Sequence, residues 1–192
     1  MINYKNADKK QLKNEFIRLS EKVSYKPTIG ISDIFNHLPP VLNPDEVPLA
    51  VSSAVMGMKA WIVVITDFRI ILLHKATALF SKKIETSSIN YENITSIDSS
   101  SNLAGGTITI STPGTIYEIK KLQKDTVQPL VNIISIAKAD LSSSKERKVE
   151  TQQNISADND IINKLERLAE LKEKGILTED EFQSQKLKLL SK

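Results

Sequence analysis

Apolar positions change their period several times along this chain, and the changes mark its parts. Leu12, Phe16, Leu19 and Val23 recur at i, i+4, i+7 and i+11, one face of a helix over 9–23 whose other faces carry Lys, Glu and Arg. Pro27 and Gly30 break it, a short apolar group follows (Ile31, Ile34, Phe35, Leu38), and Pro39-Pro40 stops that group. From residue 45 the period shortens. Apolar runs at 47–55, 60–66 and 69–75 have strand length, and the last two are separated by a tight Asp67-Phe68 turn. Weaker runs cover 82–89 and 94–98. Thr107 to Thr112 alternates at period two, Pro113-Gly114 turns the chain, and Thr115 to Lys120 returns. Seven short strands at this spacing predict an antiparallel sandwich or barrel.

Helical period resumes at 125–141, where Val127, Leu130, Val131, Ile134 and Leu141 line one face. Asp125 and Gln128 have capping-box spacing there, and Pro129 falls where a first turn tolerates it. Residues 142–157 are polar with few apolar positions and read as a linker. A helical hairpin follows over 158–192. Asp158 or Asp160 can cap its first helix, which carries Ile161, Leu165, Leu168 and Leu171. Gly175 occupies the position after the helix where positive φ is expected. Thr178 and Glu181 form a capping box for the second helix, with Leu177 and Phe182 at the two hydrophobic-staple positions. The expected division is therefore an N-terminal helical segment (1–44), a β body closed by a helix (45–141), a linker (142–157) and a hairpin (158–192).

The strands at 60–65 and 70–73 are apolar on both faces, whereas a half-exposed antiparallel strand alternates. Something must cover the outer face: the amphipathic helix at 9–23, or a second subunit.

Composition narrows the function classes. The 192 residues hold 26 Lys+Arg against 23 Asp+Glu, a net charge of +3, too weak and too dispersed for a nucleic-acid binder. Absence of cysteine excludes disulfides, thiolate metal sites and a Cys nucleophile. The first ten residues lack the apolar run of a signal peptide, and the longest apolar stretches fall far short of the ~20 residues of a membrane span. A soluble cytoplasmic protein is expected. His37 and His74 lack partners at metal-ligand or triad spacing, and Gly105-Gly106 lacks the spacing, Lys and following helix of a phosphate loop. Glu179-Asp180-Glu181 are helix N-terminal charges that favour the macrodipole. No enzyme, cofactor or metal is expected.

Two stretches carry a family resemblance. Trp61-Ile-Val-Val-Ile-Thr-Asp-Phe-Arg-Ile-Ile-Leu-Leu resembles the second and third strands of bacterial pleckstrin-homology (PH) domains, with their Thr-Asn/Asp-x-Arg turn. Ile89-Asn-Tyr-Glu-Asn-Ile-Thr-Ser-Ile resembles the same family's Ile-Pro-Tyr-x-x-Ile-x-Ser-Ile strand, with Asn90 replacing the usual Pro. Residues 158–192 resemble the short C-terminal (SHOCT) domain through Leu168-x-x-Leu171-x-x-x-Gly175-Ile-Leu-Thr-Glu-Asp-Glu-Phe-x-x-x-Lys186-x-x-Leu189-Leu190. The resemblance implies an α+β fold: a PH-like antiparallel β-sandwich or barrel of about seven strands, closed by a C-terminal helix. An N-terminal helical segment and a separate helical hairpin complete it.

A PH-like fold invites a lipid reading, but a multiply charged headgroup needs several fixed cations. The first hairpin offers Lys59 alone, and Lys82 and Lys83 lie elsewhere. These could support weak attraction to an anionic surface and a peripheral place at the inner membrane face. That is the second reading. The first concerns the hairpin, about 35 residues long and too small to stand alone, since burial barely offsets ordering entropy at that size. Its apolar positions Leu165, Leu168, Leu171, Leu177, Phe182, Leu189 and Leu190 are the candidate interface for a protein partner or another copy of the chain. The expected function is a non-enzymatic scaffold that homo-oligomerises through the PH-like body, the hairpin or both.

Overall fold

The computed structural model describes residues 2–28, 30–76 and 83–190, with side chains throughout except at 145–162 and 190. The chain divides into two compact units, Met1–Leu141 and Ser142–Lys192.

In the first unit, helix α1 (Lys9–Glu21) starts at Asp8, whose carboxylate accepts the Gln11 N–H while the Gln11 side chain accepts the Asp8 N–H. A short helix α2 (Ser32–Phe35) and a 3-10 turn (Pro39–Val41) follow. Seven strands come next: β1 (Pro48–Met56), β2 (Lys59–Thr66), β3 (Arg69–Lys75), β4 (Ile84–Asn90), β5 (Ser96–Asn102), β6 (Gly105–Thr112) and β7 (Thr115–Leu122). They lie in the order β4-β3-β2-β1-β7-β6-β5, every neighbouring pair antiparallel. The sheet is thus two meanders, β1–β4 and β5–β7, joined where Val55 of β1 pairs with Lys120 of β7. Short connections suffice for this antiparallel topology.

The alternating strand and the continuous strands behave as their patterns demand. In β6, Gly106, Ile108 and Ile110 are buried while Thr107 and Thr109 are less so. In β2 and β3, Ile62 to Ile65 and Ile70 to Leu73 are buried on both faces. The chain itself supplies the cover. Leu12, Phe16, Leu19, Val23, Tyr25, Ile34, Phe35 and Leu38 are buried in one cluster with these strands, α1 packing on β1 and α2 on β3. Phe16 meets the Tyr25 and Phe35 rings edge-on, with centroids 6.4 and 5.4 Å away. No second subunit is needed to dry this face.

Helix α3 (Lys124–Glu173) closes the other side, placing Val127, Leu130, Ile134 and Ala137 in the cluster with Ile108, Ile110, Ile119 and Leu122. Its start differs from the capping-box expectation. The helix already begins at Lys124, so Asp125 lies inside the first turn and the Gln128 amide donates to Asn132 Oδ1 (2.9 Å) instead. Pro129 is then the sixth helical residue, where its ring costs the bond to the Asp125 carbonyl.

The helix also runs on through 142–157 and past Asp158 and Asp160, so no helix begins at either aspartate. The reason is that residues 142–174 contain neither Gly nor Pro, and Lys, Glu, Gln and Arg are good helix formers. A polar sequence without a breaker can stay helical with no apolar face to bury. In the second unit, α3 is followed by α4 (Glu179–Leu190).

Candidate interaction surfaces

The Thr-Asp-x-Arg turn is structural, and it locks the loop before β1 to the β2–β3 turn. Thr66 Oγ1 accepts the N–H groups of Phe68 (3.1 Å) and Arg69 (2.9 Å), which fixes the turn. The Arg69 guanidinium donates from Nε and Nη2 to the two oxygens of Glu46, both at 3.0 Å, and to the Val41 carbonyl (2.8 Å). Glu46 is buried and also accepts the Asn43 N–H (2.9 Å), and the Thr66 hydroxyl lies 2.8 Å from its Oε1. Asp67 accepts the Val47 N–H (2.8 Å), and the buried Tyr91 hydroxyl donates to the Thr66 carbonyl. Burial pushes the Tyr91 phenol upward, so it stays a protonated donor. Every polar group here is occupied in holding the fold. Glu46 has no place in the sequence motif; its role appears only when residues more than 20 positions apart converge.

A second buried carboxylate has a similar task. Glu15 accepts Nε and Nη2 of Arg18 (2.7 and 2.6 Å) and the Tyr4 hydroxyl (2.8 Å), pinning the N-terminal 3-10 turn (Tyr4–Asn6) to α1. The Arg18 hydrogen bonds hold its carboxyl below the usual range despite opposing desolvation.

The corner expected to meet lipid holds Lys59, and Lys120 and Lys121 line the groove beside its turn. Gly57 (φ 53°) and Met58 (φ 64°) form a two-residue hairpin turn with φ positive at both positions, as in a type I′ turn, leaving no loop to surround a headgroup. Lys59 is paired with Glu85 across the sheet (2.9 Å), and that hydrogen bond lowers the Glu85 carboxyl. Lys83 is exposed, and Lys82 lies outside the described residues. Lys59 and Lys83 both act on the Glu85 carboxylate, which lies between the two expected lipid contacts that are described. The most exposed group at this turn is apolar: Met58, 98% exposed.

The hairpin places its predicted residues on shared faces but buries none of those whose side chains are described. Leu165, Leu168 and Leu171 of α3, Leu177 of the turn, and Phe182 and Leu189 of α4 are all half-buried; the Leu190 side chain is not described. The turn itself is closely specified. Gly175 has φ 70°, and its N–H and that of Ile176 bond back to the Lys172 and Leu171 carbonyls (2.9 and 3.0 Å). Thr178 N–H donates to Glu181 Oε2 (2.9 Å), while Glu181 N–H reaches Thr178 Oγ1 (3.4 Å), completing the box. Lys172 bridges to Glu179 and sits 5.1 Å from the Phe182 ring centroid. Two apolar residues missed as candidates, Ile176 and Leu187, are 65% and 68% exposed. Ile176 was visible inside the hairpin motif; Leu187 escapes because it lies five residues from Phe182, off the main stripe.

Among the described residues, His74 and Gly105-Gly106 have structural tasks. His74 Nδ1 contacts the Ala60 carbonyl (2.6 Å), and its ring lies against Trp61, so it acts in packing. Gly105-Gly106 opens strand β6, and a Cβ on Gly106 would come 2.0 Å from a Val127 methyl: the glycine is there for helix–sheet contact. Among the described residues no group of three His, Asp or Glu side chains could hold a metal, and no helix is long and apolar enough to cross a membrane.

No curated protein matches the chain. The solved structures that resemble it include the following two. A pleckstrin homology domain from Shewanella amazonensis SB2B is 19% identical, covering 58% of this chain and 88% of its own, with a TM-score of 0.37. A DUF1696 family protein with a pleckstrin-homology domain, from Shewanella loihica PV-4, is 18% identical, covering 58% and 92%, with a TM-score of 0.38. Residues 42–136, which hold all seven strands and the first turns of α3, match the family described as Bacterial PH domain.

Proposed function

We propose that this protein is a non-enzymatic interaction scaffold that homo-oligomerises, its PH-type body carrying a SHOCT-like hairpin as an assembly element. One observation carries the reading: among the described residues 163–189, no side chain is buried. A helical hairpin with formed caps, a staple and leucine stripes, yet no interior, leaves its stabilising burial to a second surface. The body, by contrast, is complete without a partner on its outer sheet face, since α1 and α2 cover it. That shifts the assembly role toward the hairpin. Anionic lipid is the weaker reading, because Lys59 is already engaged by Glu85 and the hairpin turn is two residues long.

Light scattering on the full chain at micromolar concentration tests this. A mass of two or more whole multiples of 21.4 kDa is expected. A single-chain mass would sink the proposal, and cosedimentation of that monomer with anionic vesicles would favour lipid in its place.

A further inference from the structure

Strand β7 exposes two consecutive lysines, which an unbroken strand would send to opposite faces. Ile119 and Leu122 are both buried although three residues apart, because a bulge between them sets Lys120 and Lys121 opposite the single residue Thr107 of β6. Lys121 takes φ 58°, a left-handed backbone that a lysine adopts only where its surroundings impose it. The two lysines line one wall of a groove of about 500 Å3, and the β1–β2 turn forms the other, uncharged wall. Val55, Met56 and Tyr117 lie half-buried along it, while Met58 and Ile116 are 98% and 66% exposed. Pairing between β1 and β7 stops at Val55 and Lys120, so β7 from Thr115 to Ile119 has a strand neighbour in β6 alone. Lys120 bridges to Glu118 (2.9 Å) with both side chains about half exposed, a contact that solvent screens. Among the described residues, the Lys121 ammonium pairs with no carboxylate.

We propose that this groove takes an extended acidic segment of a partner protein, laid along the open side of β7, with acidic and apolar residues alternating. An extended chain presents its side chains at period two. One set would meet Lys121, and Lys120 in exchange for Glu118; the other would meet the exposed Met58 and Ile116. Charge complementarity asks for the acid, since the opposite wall supplies none. The open side of β7 asks for a peptide rather than a bilayer. A peptide backbone can pair with a free strand side, whereas hydrocarbon leaves it unsatisfied. The site lies in the body, away from the hairpin, and does not rest on the oligomeric reading.

A displayed library of short random peptides, selected on the full-length chain, tests this. Enriched sequences are expected to alternate Asp or Glu with apolar residues, and the most enriched one, synthesised, serves as the probe. Trp61, the single tryptophan of the chain, reports binding by its fluorescence, because its indole N–H donates to the Met56 carbonyl (3.3 Å) at the groove. Lys120→Glu with Lys121→Glu should weaken the affinity for the probe at least about tenfold. Lys121→Gly removes the cation and relieves the left-handed backbone, so it should weaken binding without lowering the melting temperature. That separates a lost contact from a lost fold. The number of chains per particle should stay the same in both variants. No enrichment, enrichment without acidic residues, or wild-type affinity in both variants would overturn the proposal. A changed number of chains would make the groove a contact between copies in its place. Lysine-dependent cosedimentation with vesicles of equal phosphatidylcholine and phosphatidylglycerol, without peptide binding, would assign it to a membrane.

Discussion

At the scale of single residues, the buried charges decide most. Glu46 has a side-chain exposure of 1% and Arg69 of 16%, and each satisfies the other in a two-point contact. Removing one partner leaves an uncompensated buried charge, so Arg69→Ala or Glu46→Ala should destabilise the protein by about 3–5 kcal/mol in urea unfolding. An apolar replacement of both together should cost less than either alone. Glu15 makes the pH dependence legible. Its carboxyl titrates below the usual range, chiefly through the Arg18 hydrogen bonds, so it releases its proton more readily folded than unfolded. Its contribution is full above the unfolded pKa and is lost as pH falls through the lower, folded one. Glu15→Gln should therefore flatten the acid limb of a stability-against-pH profile. Gly106 offers a sharper test of packing. A methyl group there would overlap the Val127 side chain at 2.0 Å, so Gly106→Ala should cost about 1–3 kcal/mol. Adding Val127→Ala should return part of that loss, and a double-mutant cycle measures the coupling.

At the scale of elements, α1 acts as a lid that belongs to the sheet. Phe16 is buried at the centre of its contact with Tyr25 and Phe35, and the Tyr25 hydroxyl donates to Ser53 of β1 (2.7 Å). Truncation to Phe16→Ala should cost about 3–5 kcal/mol. The wider consequence concerns β2 and β3. Lifting the N-terminal segment would uncover a contiguous apolar sheet face, and faces of that kind recruit other chains. The N-terminal helices thus keep the body's outer face from serving as a sticky surface, which leaves the hairpin as the exposed apolar feature of the described second unit.

For the whole molecule, the two units follow different physics. Met1–Leu141 buries a core shared by helices and strands, whereas the described part of Ser142–Lys192 buries none. Deleting 142–192 is expected to leave a cooperatively unfolding body, followed by circular dichroism and thermal melting. The same deletion should lower the number of chains per particle, taken from light scattering as particle mass over the mass of the shortened chain. An unchanged number of chains after deletion would assign assembly to the body.

Much of this was readable from residue order, for local reasons. Strand alternation, the Pro113-Gly114 turn, and the Gly175 and Thr178-x-x-Glu181 signals act within a few residues, so the strands and the α3–α4 turn follow directly from the chain. The doubly apolar strands even announced that a cover exists. What covers them did not follow, because pattern states that a face is dry without naming the neighbour; only α1 and α2 folding back onto β1 and β3 decided it. Glu46 was equally silent, being one acidic residue among many until the fold brought Arg69, Thr66 and the Val41 carbonyl around it. The polar stretch after residue 141 shows the converse. Composition says what a segment cannot bury, whereas helix continuity through it depends on backbone hydrogen bonds that no breaker interrupts. Short-range signals set the elements of this protein, and long-range convergence alone chose their partners.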